Sequence, residues 1–280
     1  MRWLNSEGLS VILTTFFSYL LLSGILILLN PNSISKIFQS KTLIVMAIAY
    51  GLTNICFNWA VTNGDVVRVV FLFYLMPIWA AIFAKVFLSE DLGYKGLCRI
   101  FLALTGLIIV LDITNQFSLS ININFYEILA ILGGIFFAFA NVFLRKAKSF
   151  SSLNRSMAIF LGSCLVPLFI LLINLFLSNF GLMNSPLDNL KSLPSFNFFS
   201  IILVIITMAI TLGTANFCLQ FGGSKLLVQT TCLLMIVEIP VAIFSFAFFT
   251  SKITDFSIII GGGLIVVAAI WSIFDQKHSK

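Results

Sequence analysis

Nine apolar stretches, most of them long enough to cross a bilayer, follow one another along this chain with short polar breaks between them. They cover residues 9–29, 43–61, 66–88, 97–111, 126–144, 156–177, 198–221, 226–249 and 256–274. A spanning helix needs roughly 20 mostly apolar residues, because backbone groups in hydrocarbon must be paired within the helix itself. The stretch at 97–111 is the shortest and must recruit flanking residues. Only 9% of the chain is charged and 60% is hydrophobic, whereas a soluble domain carries about 25% charged residues. Little chain remains outside the stretches, so no soluble catalytic domain fits. The first stretch is longer than a signal-peptide core, and Asn30-Pro31-Asn32-Ser33 lacks small residues at the cleavage spacing. The expected fold class is all-α: a polytopic membrane helix bundle of nine spans.

The net charge of +6 is explained by its distribution. Counting spans alternately, only Arg2, Arg68, Lys191 and Lys252 of the 16 basic residues fall on one side. Basic residues gather on the cytoplasmic side of membrane proteins, which predicts a cytoplasmic carboxyl terminus and a periplasmic amino terminus. The basic residues are spread over several short segments rather than one patch, which argues against a nucleic-acid partner. The five cysteines lie within spans without CxxC spacing, and the one histidine, His278, stands in the tail. No metal site, no cofactor and no catalytic set is expected, so the chain does not read as an enzyme.

Two segments read as copies of each other. Residues 57–111 are built around Leu75-Met76-Pro77-Ile78-Trp79, and residues 219–274 around Glu238-Ile239-Pro240-Val241-Ala242. Each holds an apolar span ending in a Gly-containing turn, a span with an internal proline, a polar break and a Gly-containing span. Thr62-Asn63-Gly64-Asp65 and Gly222-Gly223-Ser224-Lys225 are the corresponding turns. Pro77 and Pro240 each leave a carbonyl unpaired and should bend their helices at equivalent points. Internal pseudo-symmetry in an apolar chain points to transport, with a site between the halves. The basic segment 145–155 joins the two halves.

Glu238 falls about halfway along its span, where a carboxylate costs roughly 2.5–3.5 kcal/mol even on the lenient insertion scale. It should therefore face the bundle interior. It reads either as a contact for a substrate amine or a coupled proton, or as a neutral acid bonding the Ile236 carbonyl that Pro240 frees. Arg68 either pairs with Asp65 or the outer headgroups, or faces a water-filled mouth and draws in a carboxylate. Tyr74, Trp79, Asn58, Trp59, Asn141 and Asn216 form a candidate polar and aromatic lining, though each alone could equally bond across helices. Glu90-Asp91 read as the cap of the following helix. Gly133-Gly134 and Gly261-Gly262-Gly263 read as close-packing positions. The 31 phenylalanines are attributed to lipid-facing filler and carry no site argument.

The run from Gly64-Asp65-Val66-Val67-Arg68 through Leu75-Met76-Pro77-Ile78-Trp79 to Leu88-Ser89-Glu90, with Glu238-Ile239-Pro240-Val241-Ala242, resembles the EamA-type transporters of the drug/metabolite transporter superfamily. Ser6-Glu7-Gly8-Leu9 followed by a span with Tyr19 is similar to the bacterial aromatic amino-acid exporter branch. The resemblance implies ten helices as two inverted repeats of five. It places Ser6-Glu7-Gly8 after a first helix, so the chain is expected to hold 4+5 spans: a first repeat at 1–114 lacking that helix, and a second at 115–280. It further implies alternating access around a midplane cavity in the bacterial inner membrane. The expected function is export of amino acids or similar small amphipathic metabolites, with a small-molecule solute, the lipid bilayer and a second copy of the chain as partners. The alternative is a non-transporting membrane scaffold or a truncated remnant of such a transporter.

Overall fold

The computed structural model describes residues 10–111, 123–179, 198–250 and 256–278. The expected boundary at 114/115 and the tetrapeptide Ser6-Glu7-Gly8-Leu9 lie outside the described residues. Those described are helical apart from short turns and connections, with no strand among them. In chain order the helices are α1 (Val11–Leu29), α2 (Asn32–Gln39), α3 (Lys41–Asn63), α4 (Val66–Phe73), α5 (Met76–Leu88) and α6 (Gly93–Val110). They continue with α7 (Phe125–Lys146), α8 (Ser152–Asn179), α9 (Phe198–Gly223), α10 (Val228–Ile236), α11 (Glu238–Thr250) and α12 (Phe256–His278). Because α4–α5 and α10–α11 are each one interrupted span and α2 is short, nine spans result. The all-α polytopic bundle expected from the sequence is the observed fold. The short 97–111 stretch reaches spanning length by starting at Gly93.

Side chains at the helix starts satisfy amides that the helices themselves cannot. Ser10 Oγ accepts from the Leu13 amide at 3.3 Å, and Ser40 Oγ from the Leu43 amide at 3.5 Å. Asp65 Oδ1 accepts from the Arg68 amide at 3.0 Å, which makes Asp65 a turn residue and the cap of α4. At α7, Asn124 and Glu127 form a reciprocal capping box. Glu90-Asp91 do not act as the expected cap: Leu92 is the N-cap of α6 and makes no side-chain cap, and Glu90 pairs with Arg145 at 3.5 Å. The attraction of a cation across the bundle outweighs local capping there.

Both proline-bearing spans break three residues before the proline. The first is interrupted at Tyr74 and Leu75, ahead of Pro77; the second at Val237, ahead of Pro240. Proline lacks the amide that would donate to the carbonyl four residues back, so each helix is weakest at this turn. The Phe73 carbonyl, which Pro77 cannot serve, lies against Gly134 of α7, where a Cβ would come within 2.6 Å of it.

Helix α7 lies along α3, α4 and α5, α8 packs on α1 and α3, and α6 packs on α12. The tightest crossings are made by glycines. A Cβ on Gly106 of α6 would stand 2.6 Å from the Gly261 carbonyl, and one on Gly261 of α12 would stand 2.7 Å from the Gly106 carbonyl. Such small-residue crossings let backbones touch where lipid provides no hydrophobic drive. Near the Gly93 end of α6, Arg99, 5% exposed, bonds Asp275 of α12 at 2.9 Å. Removing one partner of a buried pair leaves a costly unpaired charge. Because Asp275 is part-exposed, Asp275→Asn should cost on the order of 1–3 kcal/mol, read as a lower thermal midpoint of the detergent-purified protein; an unchanged midpoint would show the pair to be neutral.

One span stands apart in its packing. Only 6% of the Ile202–Gly223 window, on α9, is buried by the rest of the chain, against 33–56% in the other eight spans. Among the described helices, none lies along α9 and α11 as α7 lies along α3, α4 and α5.

Candidate functional site

A cavity of about 430 Å³ opens between α1 and α3 on one side and α9–α11 on the other. Helix α3 presents Tyr50, Thr53, Asn54 and Phe57 to it, a spacing that places all four along one helical face. Helix α1 contributes Tyr19, α4 Phe73, α7 Phe137, α9 Asn216, Cys218 and apolar neighbours, α10 Met235, and α11 Glu238. The aromatic part is continuous. The rings of Phe57 and Phe73 stand 4.4 Å apart, Phe73 and Phe137 5.9 Å, and Tyr50 meets Phe137 edge-on at 6.0 Å. Tilted and edge-to-face pairs at these separations are the favoured arrangements of aromatic groups.

The polar part is held by bonds along the wall and to the helices behind it. The Tyr19 hydroxyl donates to Asn54 Oδ1 at 3.2 Å, and Asn54 Nδ2 donates to Ser163 Oγ of α8 at 2.7 Å. The Tyr50 hydroxyl donates to Asn141 Oδ1 at 3.4 Å, and Asn141 Nδ2 donates to the Phe137 carbonyl at 2.8 Å. Asn216 Nδ2 donates to the Leu212 carbonyl at 2.9 Å, which turns the amide oxygen to other partners. Glu238 shows no hydrogen bond to the Ile236 carbonyl among the described contacts, and its side chain is exposed on the cavity wall. One turn beyond Asn216, the wholly buried Gln220 sits beside the Tyr50 hydroxyl with neither amide atom in a well-formed hydrogen bond.

Of the residues expected to line a cavity, the structure places Glu238 and Asn216 on this wall. Asn141 stands one layer behind it, orienting Tyr50. Asn58 is turned toward α1, where Nδ2 donates to Thr15 Oγ1 at 3.2 Å. Trp59 meets Phe125 edge-on at 6.2 Å. Tyr74 is 2% exposed within the packed core, and Trp79 packs against that core with Nε1 unpartnered. A step of one residue turns a helical side chain by about 100°, so Phe73 takes the cavity position and Tyr74 does not. Arg68 pairs with Glu127 of α7 at 3.0 Å rather than with the Asp65 carboxylate, which caps its backbone. Neither Arg68 nor Glu127 lines the cavity.

Tyr19, Tyr50, Thr53, Asn54, Phe57, Phe73, Phe137 and Cys218 are the polar, aromatic and thiol lining residues absent from the expected set. The repeat of polar and aromatic side chains at 50, 53, 54 and 57 was the readable signal. Setting all phenylalanines aside hid three members of the wall. Cys218 is exposed, whereas Cys56, Cys164 and Cys232 are buried.

Fold and cavity define a polytopic helical membrane protein with a partly polar chamber between its helices. Residues 1–112 match the EamA-like transporter family, a transporter family rather than an enzyme family, and the match spans α1 to α6. No curated protein matches the chain. A solved structure described only as "Crystal structure of protein" is similar in fold, with a TM-score of 0.64 at 15% identity, covering 96% of this chain and 89% of that one.

Proposed function

We propose that this chain is a secondary transporter of the drug/metabolite class that exports amino acids or similar small amphipathic metabolites by alternating access. The observation that carries the proposal is the 430 Å³ cavity, which combines one carboxylate with a continuous aromatic wall. That volume is in the range of small-molecule sites, which run about 300–1,000 Å³. Glu238 suits a substrate ammonium group, the rings of Phe57, Phe73 and Phe137 an apolar side chain, and Asn54 and Asn216 the remaining polar atoms. The breaks at Tyr74 and Val237 give each half an element that can rock, since interrupted helices border the sites of such transporters. Arg68 then belongs to the outer end of the bundle as half of an ion pair.

The reading extends to topology. A carboxyl terminus in the cytoplasm and an amino terminus in the periplasm of a bacterial inner membrane are supported by the cations grouped at the end of the bundle holding Arg99, Arg145, Arg155 and Lys225. A 4+5 division into repeats is supported by the pairing of α1 with α8 and α6 with α12. The aromatic exporter branch rests on Ser6-Glu7-Gly8-Leu9 alone. The uncovered face of α9 favours a second reading, a non-transporting membrane scaffold.

Cys218 gives a direct test. If the cavity takes solute, a small thiol reagent should modify Cys218 ahead of the buried Cys56, Cys164 and Cys232, and transported solute should slow that modification. Labelling at an equal rate with and without every amino acid tried, together with no efflux from cells expressing the chain, would favour the scaffold.

A further inference from the structure

A second pocket, of about 550 Å³, lies where the end of α7, the start of α8 and the end of α9 meet, and it shares no lining residue with the Glu238 cavity. Its wall holds four cations: Arg145 at the end of α7, Lys148 in the short 3-10 turn Ala147–Ser149, Arg155 in the first turns of α8, and Lys225 after α9. The Glu90 carboxylate pairs with Arg145 at 3.5 Å.

Arg155 is the unusual member. It is 4% exposed, yet every acceptor it meets is a neutral oxygen. Its guanidinium donates to the Ala147 carbonyl at 3.4 Å and to the Phe150 carbonyl. It also donates to Ser152 Oγ at 3.1 Å, the Gln220 carbonyl at 3.0 Å and Ser224 Oγ at 3.0 Å. Its Nε has no partner. These bonds fix the group's orientation without neutralising its charge, and buried charges are otherwise found paired. Lys148 is exposed beside it, while Lys225 sits over the Phe221 ring at 3.7 Å. The start of α8 adds its partial positive charge to the same space.

We infer that this pocket is a phosphate-binding site, taking the phosphate of an anionic phospholipid headgroup or free inorganic phosphate. A fixed guanidinium, flanking cations and the Ser151 and Ser152 hydroxyls together match the oxygens of a phosphate. The pocket lies at the bundle end, where lipid headgroups stand, and basic pockets between spans are known places for them. The site lies across the connection between α7 and α8, so an occupant would brace residues 145–155.

The full chain, purified in detergent, is titrated with short-chain phosphatidylglycerol and phosphatidylcholine by native mass spectrometry, and with inorganic phosphate by calorimetry. Phosphatidylglycerol should bind more tightly than phosphatidylcholine if a headgroup is the occupant; saturable heat with phosphate, and no lipid preference, assigns free phosphate. In the variant with Lys148→Gln and Lys225→Gln, affinity for the favoured ligand should fall by about fivefold per lysine, with phosphatidylcholine unaffected. Both lysines are exposed, so the thermal midpoint of the variant should match that of the parent. Equal binding of the two lipids with no phosphate heat overturns the site, as does undiminished binding in the double variant.

Discussion

Replacing Glu238 with Gln should reduce solute efflux by about tenfold to a hundredfold, matching the roughly 1.5–3 kcal/mol of one hydrogen bond to a charged group. The exchange preserves shape and keeps a hydrogen-bonding end, so it removes the carboxylate and little else. Glu238 stands on the cavity wall at the start of α11, one residue past the break at Val237. A loss that grows with the positive charge of the solute would assign it the ammonium contact. A loss equal for charged and neutral solutes would assign it to coupling. Efflux equal to the parent's, with the protein present in the membrane, would remove Glu238 from the mechanism.

Gly162→Leu should prevent assembly of the bundle. A Cβ at Gly162 of α8 would stand 1.9 Å from the Ala47 carbonyl of α3, and one at Gly51 would stand 2.4 Å from the Gly162 carbonyl. Overpacking a core costs about 1–3 kcal/mol where side chains can move; here the obstacle is backbone, and two helices must separate. The expected result is loss of the monodisperse species on size-exclusion chromatography. Gly24→Ala is the control, since nothing lies within 4 Å of its Cβ position, and the change should stabilise by up to about 1 kcal/mol. A normal profile for Gly162→Leu would mean that α3 and α8 do not cross at these glycines.

Much of the bundle was legible because hydrocarbon imposes a simple rule: a backbone that cannot reach water must pair within its own helix. That rule fixes where the spans lie, and the prolines mark where two of them break. The same rule explains why the site was not legible. In a soluble helix, polarity marks the outward face; in these spans every face is apolar, and a polar residue can turn to the cavity, to a neighbouring helix or to a cap. Asn54 and Asn58 are one turn apart on α3, yet Asn54 lines the cavity while Asn58 bonds α1. Arg68 and Glu127 are far apart in sequence and form one ion pair at 3.0 Å, a contact that no local pattern encodes.

The sequence by itself determined the class of molecule, the nine spans, the paired proline breaks and the grouping of cations toward one end, since each follows from transfer of side chains and backbone between water and hydrocarbon. Only the tertiary structure decided which polar groups meet. It set Glu238 and Asn216 with Tyr19, Tyr50 and Asn54 around one cavity, buried Tyr74, and left Arg155 ringed by neutral oxygens. Those outcomes depend on how each helix is rotated about its own axis, and that rotation is set by glycine crossings between helices distant in the chain.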